Sequence, residues 1–239
     1  MSPYPISNIL FLDIETVPQA PVFDSLEEEW KKLWSLKAAY LVKPDSGDNA
    51  SSLYNRAGIY AEFGKIICIS CGLITSQGGE KKLSLKSFYG DDEKKILIDF
   101  TSMINRWAAD PGKYLCAHNG KEFDFPYICR RLIIHSLPIP SILSAIGKKP
   151  WELAFLDTMD MWKFGDYKNF TSLNLLAHIL GIPTPKDDID GSMIYEVYWQ
   201  QHDLQRIVTY CQKDVVTVAQ VYLRIHSEPG ISSEQIDIK

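Results

Sequence analysis

A chain of 239 residues can bury a substantial core, either as one large domain or as one domain carrying an insertion. Its 46% apolar and 23% charged residues are those of a soluble globule, and no apolar run approaches the roughly 20 residues a membrane helix needs, so a membrane protein is not expected. The net charge of −5 argues against a broadly basic nucleic-acid binder but leaves room for a small acidic site that recruits cations, which in turn attract phosphates.

The start of the chain, Met1-Ser2-Pro3-Tyr4-Pro5, lacks the basic flank and apolar core of a signal peptide. The five cysteines are odd in number and sit mostly in apolar runs, which points to a reducing, cytoplasmic setting. Residues 9–13 read as a first strand. From 18 to 62 the chain departs from alternation: Ser25 to Leu41 carries Leu26, Trp30, Leu33, Trp34 and Leu36 at helical spacing, followed by a loop at 44–49. This helical insertion either borders a substrate groove or covers an edge of the sheet.

Lys65 to Ile74 is almost continuously apolar and reads as a strand buried on both faces. Within it Cys68 and Cys71 form a C-x-x-C, but strand geometry turns the two thiols opposite ways and no second pair completes a zinc set, so both read as buried structural cysteines. A turn at 76–80 and a strand from Lys82 to Tyr89 complete a hairpin. Asp91-Asp92-Glu93 then loads acid onto the start of a helix with Ile96, Leu97, Phe100, Met103, Ile104 and Trp107 on one face.

Tyr114 to Ala117 is a short strand broken by His118-Asn119-Gly120, and Phe125 to Ile134 a helix with Pro126 in its first turn. Ala154 to Asp157 is a last strand. Thr171 to Leu180 reads as a helix stopped by Gly181, and Asp203 to Ile225 as a longer one. A hairpin followed by alternating helices and strands makes an α/β domain with a mixed sheet.

Two stretches carry the chemistry. In Phe11-Leu12-Asp13-Ile14-Glu15-Thr16 the carboxylates at i and i+2 share one face of a strand while Leu12 and Ile14 take the other. In Tyr210-Cys211-Gln212-Lys213-Asp214 a phenol and a carboxylate at i and i+4 share one face of a helix. Carboxylates held against a core are costly unless neutralised, and divalent cations are the usual remedy. A third acid, Asp124, opens the helix after the His118–Phe123 loop, where by itself it would read as a helix cap.

Taken together, Asp13-Ile14-Glu15, Asn119 with Phe123-Asp124 and Pro126-Tyr127, and Tyr210 with Asp214 resemble the three exonuclease motifs of the DEDD superfamily. Tyrosine four residues before the last aspartate marks the DEDDy branch; Thr209, where the other branch has histidine, excludes that alternative. The resemblance is to the 3′→5′ exonuclease domain of family B DNA polymerases and its stand-alone bacterial relatives, and runs from about residue 9 to 224.

That resemblance implies an RNase H-like fold, a mixed five-stranded sheet with helices on both faces, as a single domain over 1–239 with the helical insertion at 18–62. It implies two divalent ions, Mg²⁺ or Mn²⁺, held by Asp13, Glu15, Asp124 and Asp214. Asp13 would bridge the pair, Glu15 and Asp214 would complete the ion that activates the attacking water, and Asp124 would serve the second. Hard ions of this kind take oxygen ligands, and a pair roughly 4 Å apart stabilises both entering and leaving oxygens of an in-line displacement. Tyr210, with an ordinary pKa near ~10, suits aiming a water better than taking its proton.

The implied activity is metal-dependent release of nucleoside 5′-monophosphates from the 3′ ends of single-stranded nucleic acid, DNA in preference to RNA, in DNA repair, turnover or proofreading in trans. The alternatives are an exoribonuclease and a non-catalytic nucleic-acid end-binding module. Asn119 and Phe123 are candidate contacts to the terminal nucleotide, Phe123 reading equally as core, and Lys186 is a candidate backbone contact or a solvated loop lysine. Asp157 reads either as a support to the site or as a structural aspartate, and His118 as a support for its loop.

Overall fold

The computed structural model describes residues 2–77, 79–166, 168–183 and 189–239. Its centre is β1, Ile9–Pro18, whose alternation decides what lies on either side of the sheet. Leu10, Leu12 and Ile14 face the first layer, formed by α2 (Glu93–Trp107) and α3 (Asp124–Ile134) with Phe100, Ile128 and Leu132. Ile9 and Phe11 face the second layer, dominated by α7 (Leu204–Ile225), where Phe11 meets Tyr222 edge to face at 5.5 Å. Each odd-numbered side chain of β1, Asp13 and Glu15 included, is thereby aimed at α7.

β1 pairs antiparallel with β2 (Gly64–Gln77), which turns into β3 (Glu80–Tyr89), and parallel with β4 (Tyr114–Ala117). β5 (Phe155–Asp157) lies parallel outside β4. The strand order is β5-β4-β1-β2-β3-β6. The five strands expected from sequence are joined by a sixth, β6 (Ile236–Ile238), parallel to β3 and too short to show a period of its own. Among the described residues no helix is long and apolar enough to cross a membrane.

The insertion has a core of its own. α1 (Glu28–Ala39) begins three residues later than its apolar spacing suggests, because Phe23–Ser25 forms a separate short 3₁₀ turn. Trp34 is fully buried against Tyr54 and Phe63, and its indole N–H donates to the Ala50 carbonyl at 2.7 Å. Gly58 lies so close to the Val17 backbone that an added Cβ would sit 2.9 Å from it. The insertion therefore seats on the C-terminal end of the central strand, a few residues past Glu15, and not on a sheet edge.

Three further helices complete the α7 side. α4 (Thr158–Lys163) follows β5 directly, α5 (Leu173–Ile179) lies within the expected helix, and α6 (Ile194–Trp199) was not legible. Another unanticipated feature joins α2 to α3. Glu93 accepts two hydrogen bonds from the buried Arg131 guanidinium, one at 2.8 Å, as well as the Ile66 N–H at 2.7 Å and a contact from His135. The forked geometry satisfies a carboxylate that would otherwise be stranded in the core.

Candidate active site

The parallel β1–β4 ladder ends at the pairing of Phe11 with Cys116, and the chain of β4 then leaves the sheet at Ala117. Beyond that point the Ile14 N–H has no strand partner, and the Asp124 carboxylate takes its place, accepting at 3.1 Å. The middle of β1 and the start of a helix 110 residues later are thus fastened through a carboxylate that is only 3% exposed. On the other side the β1–β2 register slips between Glu15 and Thr16, a bulge that interrupts the ladder beside the acids before pairing resumes from Thr16 to Pro18.

α7 approaches the same place. Asp203 caps its start by accepting from the Arg206 N–H. Between Tyr210 and Asp214 on the helix, Cys211 turns fully inward, and its thiol donates to the Asp13 carbonyl at 3.4 Å. That contact, with Cys68 and Val208 packed around it, sets the depth at which α7 lies on the strand. Tyr210 hydrogen-bonds Asp214.

The structure brings Asp13, Glu15, Asp124, Tyr210 and Asp214 into one electrostatic neighbourhood. Burial, with Glu15, Asp214 and Asp124 close by, pushes the Asp13 carboxyl well above its usual range. Glu15 moves the same way, through burial first and then Asp214. Asp124 is pushed up to about 7 by burial, against the relief given by its own and the Ile14 N–H groups. Burial and the neighbouring Asp214, Glu15 and Asp13 push the Tyr210 phenol upward, so it stays protonated. Each acid destabilises the ionised form of the others.

Among the described residues Asp13 Oδ2 is enclosed with no hydrogen-bond partner, and ligand atoms of Asp13, Glu15 and Cys211 all lie within 4.8 Å of one another. A buried carboxylate oxygen without a partner, among like charges, is the arrangement a hard divalent cation resolves. Cys211 does not suit such an ion: sulfur is soft, burial pushes its thiol well up, and its proton is engaged by the Asp13 carbonyl. That leaves the carboxylates of Asp13 and Glu15 as oxygen donors within reach of one another, with Asp124 and Asp214 near enough to raise their proton affinity.

The loop leading to Asp124 is built on Asp157. This buried carboxylate ends β5, caps α4 by accepting from Met159 N–H at 2.9 Å, and accepts the Asn119 and Lys121 N–H groups at 2.9 and 3.1 Å. Asp157 is fully hydrogen-bonded, and its charge is also felt at Asp124. His118 braces the other flank: Nε2–H donates to the Thr171 carbonyl and Nδ1 accepts from Thr158, both at 2.9 Å, and burial lowers its pKa, keeping the ring neutral. Gly120 is required here, since a Cβ would lie 2.4 Å from that of Ala117.

Asn119 sits in the left-handed region at φ 62°, and its carbonyl accepts from Glu122 and Phe123, so its backbone makes the turn. Phe123 is partly buried, packed on the α3 layer with its ring 5.4 Å from that of Tyr127. Lys186, with Asp187 and Asp188, lies outside the described residues. Sequence reasoning missed the Cys211 contact and the N–H groups held by Asp157; a cysteine inside the Tyr210–Asp214 turn was the one visible sign of the former.

A mixed sheet with helices on both faces, and a carboxylate cluster on its central strand where the partner strand β4 stops, is an α/β domain of the RNase H-like class. Over residues 59–236 the chain matches a family described as a predicted 3′-5′ exonuclease related to the exonuclease domain of PolB, and it belongs to that family. A comparison with curated proteins found no match. Asp124, Tyr210 and Asp214 fall inside the matched span, and Asp13 and Glu15 precede it on the strand that β2 and β4 enclose.

Proposed function

We propose that this protein is a metal-dependent 3′→5′ exonuclease that hydrolyses single-stranded nucleic acid, DNA in preference to RNA, to nucleoside 5′-monophosphates. The observation that carries the reading is the buried Asp13 Oδ2, without a hydrogen-bond partner among the described residues, in a cluster where burial and neighbouring charge favour the protonated forms of Asp13, Glu15 and Asp124. Asp13, Glu15, Asp124 and Asp214 would hold two Mg²⁺ or Mn²⁺ ions. When bound, such ions supply activation of a water and neutralise charge on both oxygens of the displaced phosphodiester.

The chain's own groups do the rest. The Ile14 N–H fixes the Asp124 carboxylate, and Asp157 fixes the loop that delivers it. Tyr210 keeps its proton in a hydrogen bond donated to Asp214, and offers its phenolic oxygen as the acceptor that orients the attacking water. Asn119 and Phe123, at the turn before Asp124, are the residues we place against the terminal nucleotide, and Lys186 against the phosphate backbone. The active unit is one domain over 1–239. Its five cysteines, all free thiols, suit the reducing cytoplasm, where a role in DNA repair would place it.

The test is digestion of 5′-labelled single-stranded DNA and RNA oligomers with and without divalent metal, comparing wild type with Asp214→Ala. A descending ladder from wild type alone, lost on chelation and reduced on the order of a thousandfold in the variant, is expected. Equal activity in the variant would place the chemistry elsewhere, and metal-dependent binding without turnover would leave an end-binding module.

A further inference from the structure

Phe164 ends α4 with its backbone in the left-handed region, φ 44°, a conformation that crowds a Cβ and that glycine occupies at least cost. The strain is not repaid by packing, because the ring is 83% exposed. Phe170 is 67% exposed as well, and the Lys163 ammonium lies 4.9 Å from its ring centroid. An aromatic residue kept in a strained conformation and presented to solvent needs a reason outside the fold.

Both rings are tied to the loop that carries Asp124. Asp157, at the start of α4, accepts the Asn119 and Lys121 N–H groups, and α4 is only ~9 Å long, which puts Phe164 about that far along from the loop. Thr171, next to Phe170, is held through its carbonyl by His118. Asp160 pairs with both Lys121 and Lys163, at 3.2 and 3.3 Å. α4 and α5 pack on α7, the side of the sheet that Asp13 and Glu15 face.

The charges around the rings suit a polyanion. Lys163 lies against the Phe170 ring, Lys121 shares Asp160 with it, and Lys168 precedes Phe170 by two residues, while Asp166 turns back to the Lys168 N–H and the Asn169 amide. Open aromatic faces among ammonium groups, on the side of a phosphodiester site, match unpaired bases joined by phosphates.

We propose that Phe164 and Phe170 form a stacking ledge for the unpaired bases of a strand whose 3′ end occupies the carboxylate pocket. The ledge rests on the nuclease reading and adds to it the path of the strand leading to the terminus. Stacking makes the ledge tolerant of sequence and blind to duplex, whose bases have no free faces.

The experiment measures binding by fluorescence anisotropy of 5′-labelled thymidylate and uridylate 15-mers, in Mg²⁺, to full-length Asp214→Ala protein with and without Phe164→Ala/Phe170→Ala. Affinity is expected to fall about tenfold or more for at least one of the two oligomers, and the arm that falls identifies the sugar the ledge serves. Affinity unchanged for both overturns the ledge. Phe164→Gly separates strain from folding damage: its melting temperature should rise while binding weakens, and a rise with undiminished binding also overturns the proposal. Binding is read without cleavage in the Asp214→Ala background, so ring-dependent binding there, combined with wild-type protein that never degrades the same oligomers in Mg²⁺ or Mn²⁺, would uphold the ledge and refute the nuclease reading.

Discussion

Replacing Asp124 with asparagine should stabilise the metal-free protein while abolishing its chemistry. The amide oxygen can still accept the Ile14 N–H that Asp124 accepts at 3.1 Å, so the link from α3 to β1 survives. What disappears is a charge whose folded pKa is raised from 3.8 to about 7. A carboxyl with a raised folded pKa binds its proton more tightly in the native state, so stability is greatest below the unfolded pKa and declines as pH climbs towards the folded one.

The full penalty above pH 7 is about 4 kcal/mol, from a little over three pKa units at 1.36 kcal/mol each. The new amide NH₂ must find partners in a buried site, which offsets about 1 kcal/mol. Asp124→Asn should therefore gain about 3 kcal/mol at pH 8 in a chelator, or roughly 6–12 °C in melting temperature for a chain of this size. At pH 5 the penalty is below about 2 kcal/mol and the gain should mostly vanish. Denaturant unfolding of both proteins at the two pH values, in chelator, measures this. A variant that is less stable than wild type at pH 8, or equally shifted at both pH values, would refute the electrostatic account of the cluster.

Other substitutions probe other parts of the site. Tyr210→Phe removes the contact to Asp214 and should lower kcat by about 10- to 100-fold with little change in KM. Because the Tyr210 phenol is pushed upward, the pH–rate profile on oligonucleotides should keep its shape in that variant. Arg131→Met strands Glu93 in the core and should cost about 3–5 kcal/mol by urea unfolding. Gly120→Ala forces a methyl against Ala117 and Phe125; it should cost about 1–3 kcal/mol and reduce turnover beyond what the unfolded fraction explains.

Local periodicity explains which features could be read before the structure. A period of two aimed Asp13 and Glu15 together and Leu12 and Ile14 away, and a helical period aligned Tyr210 with Asp214, because strand and helix geometry are set by the nearest residues. β6 was not legible in a run of three residues, and α6 lies in a stretch without a sustained apolar face. The Glu93–Arg131–His135 contacts join residues about 40 apart, and nothing in the neighbourhood of any one of them signals the others. The substitution of Asp124 for a strand partner at Ile14 is likewise a consequence of where β4 happens to stop.

β1 precedes the other elements of the site, yet its acids, already beside Asp124, gain Asp214 and Tyr210 only when α7, beginning at Leu204, docks upon it. Closing a loop of some two hundred residues is entropically slow and comes late in assembly. Until α7 is in place, Asp13 and Glu15 lack both Asp214 and the Cys211 contact that seats the helix on their strand, so the centre is completed only by the last of the three elements that build it.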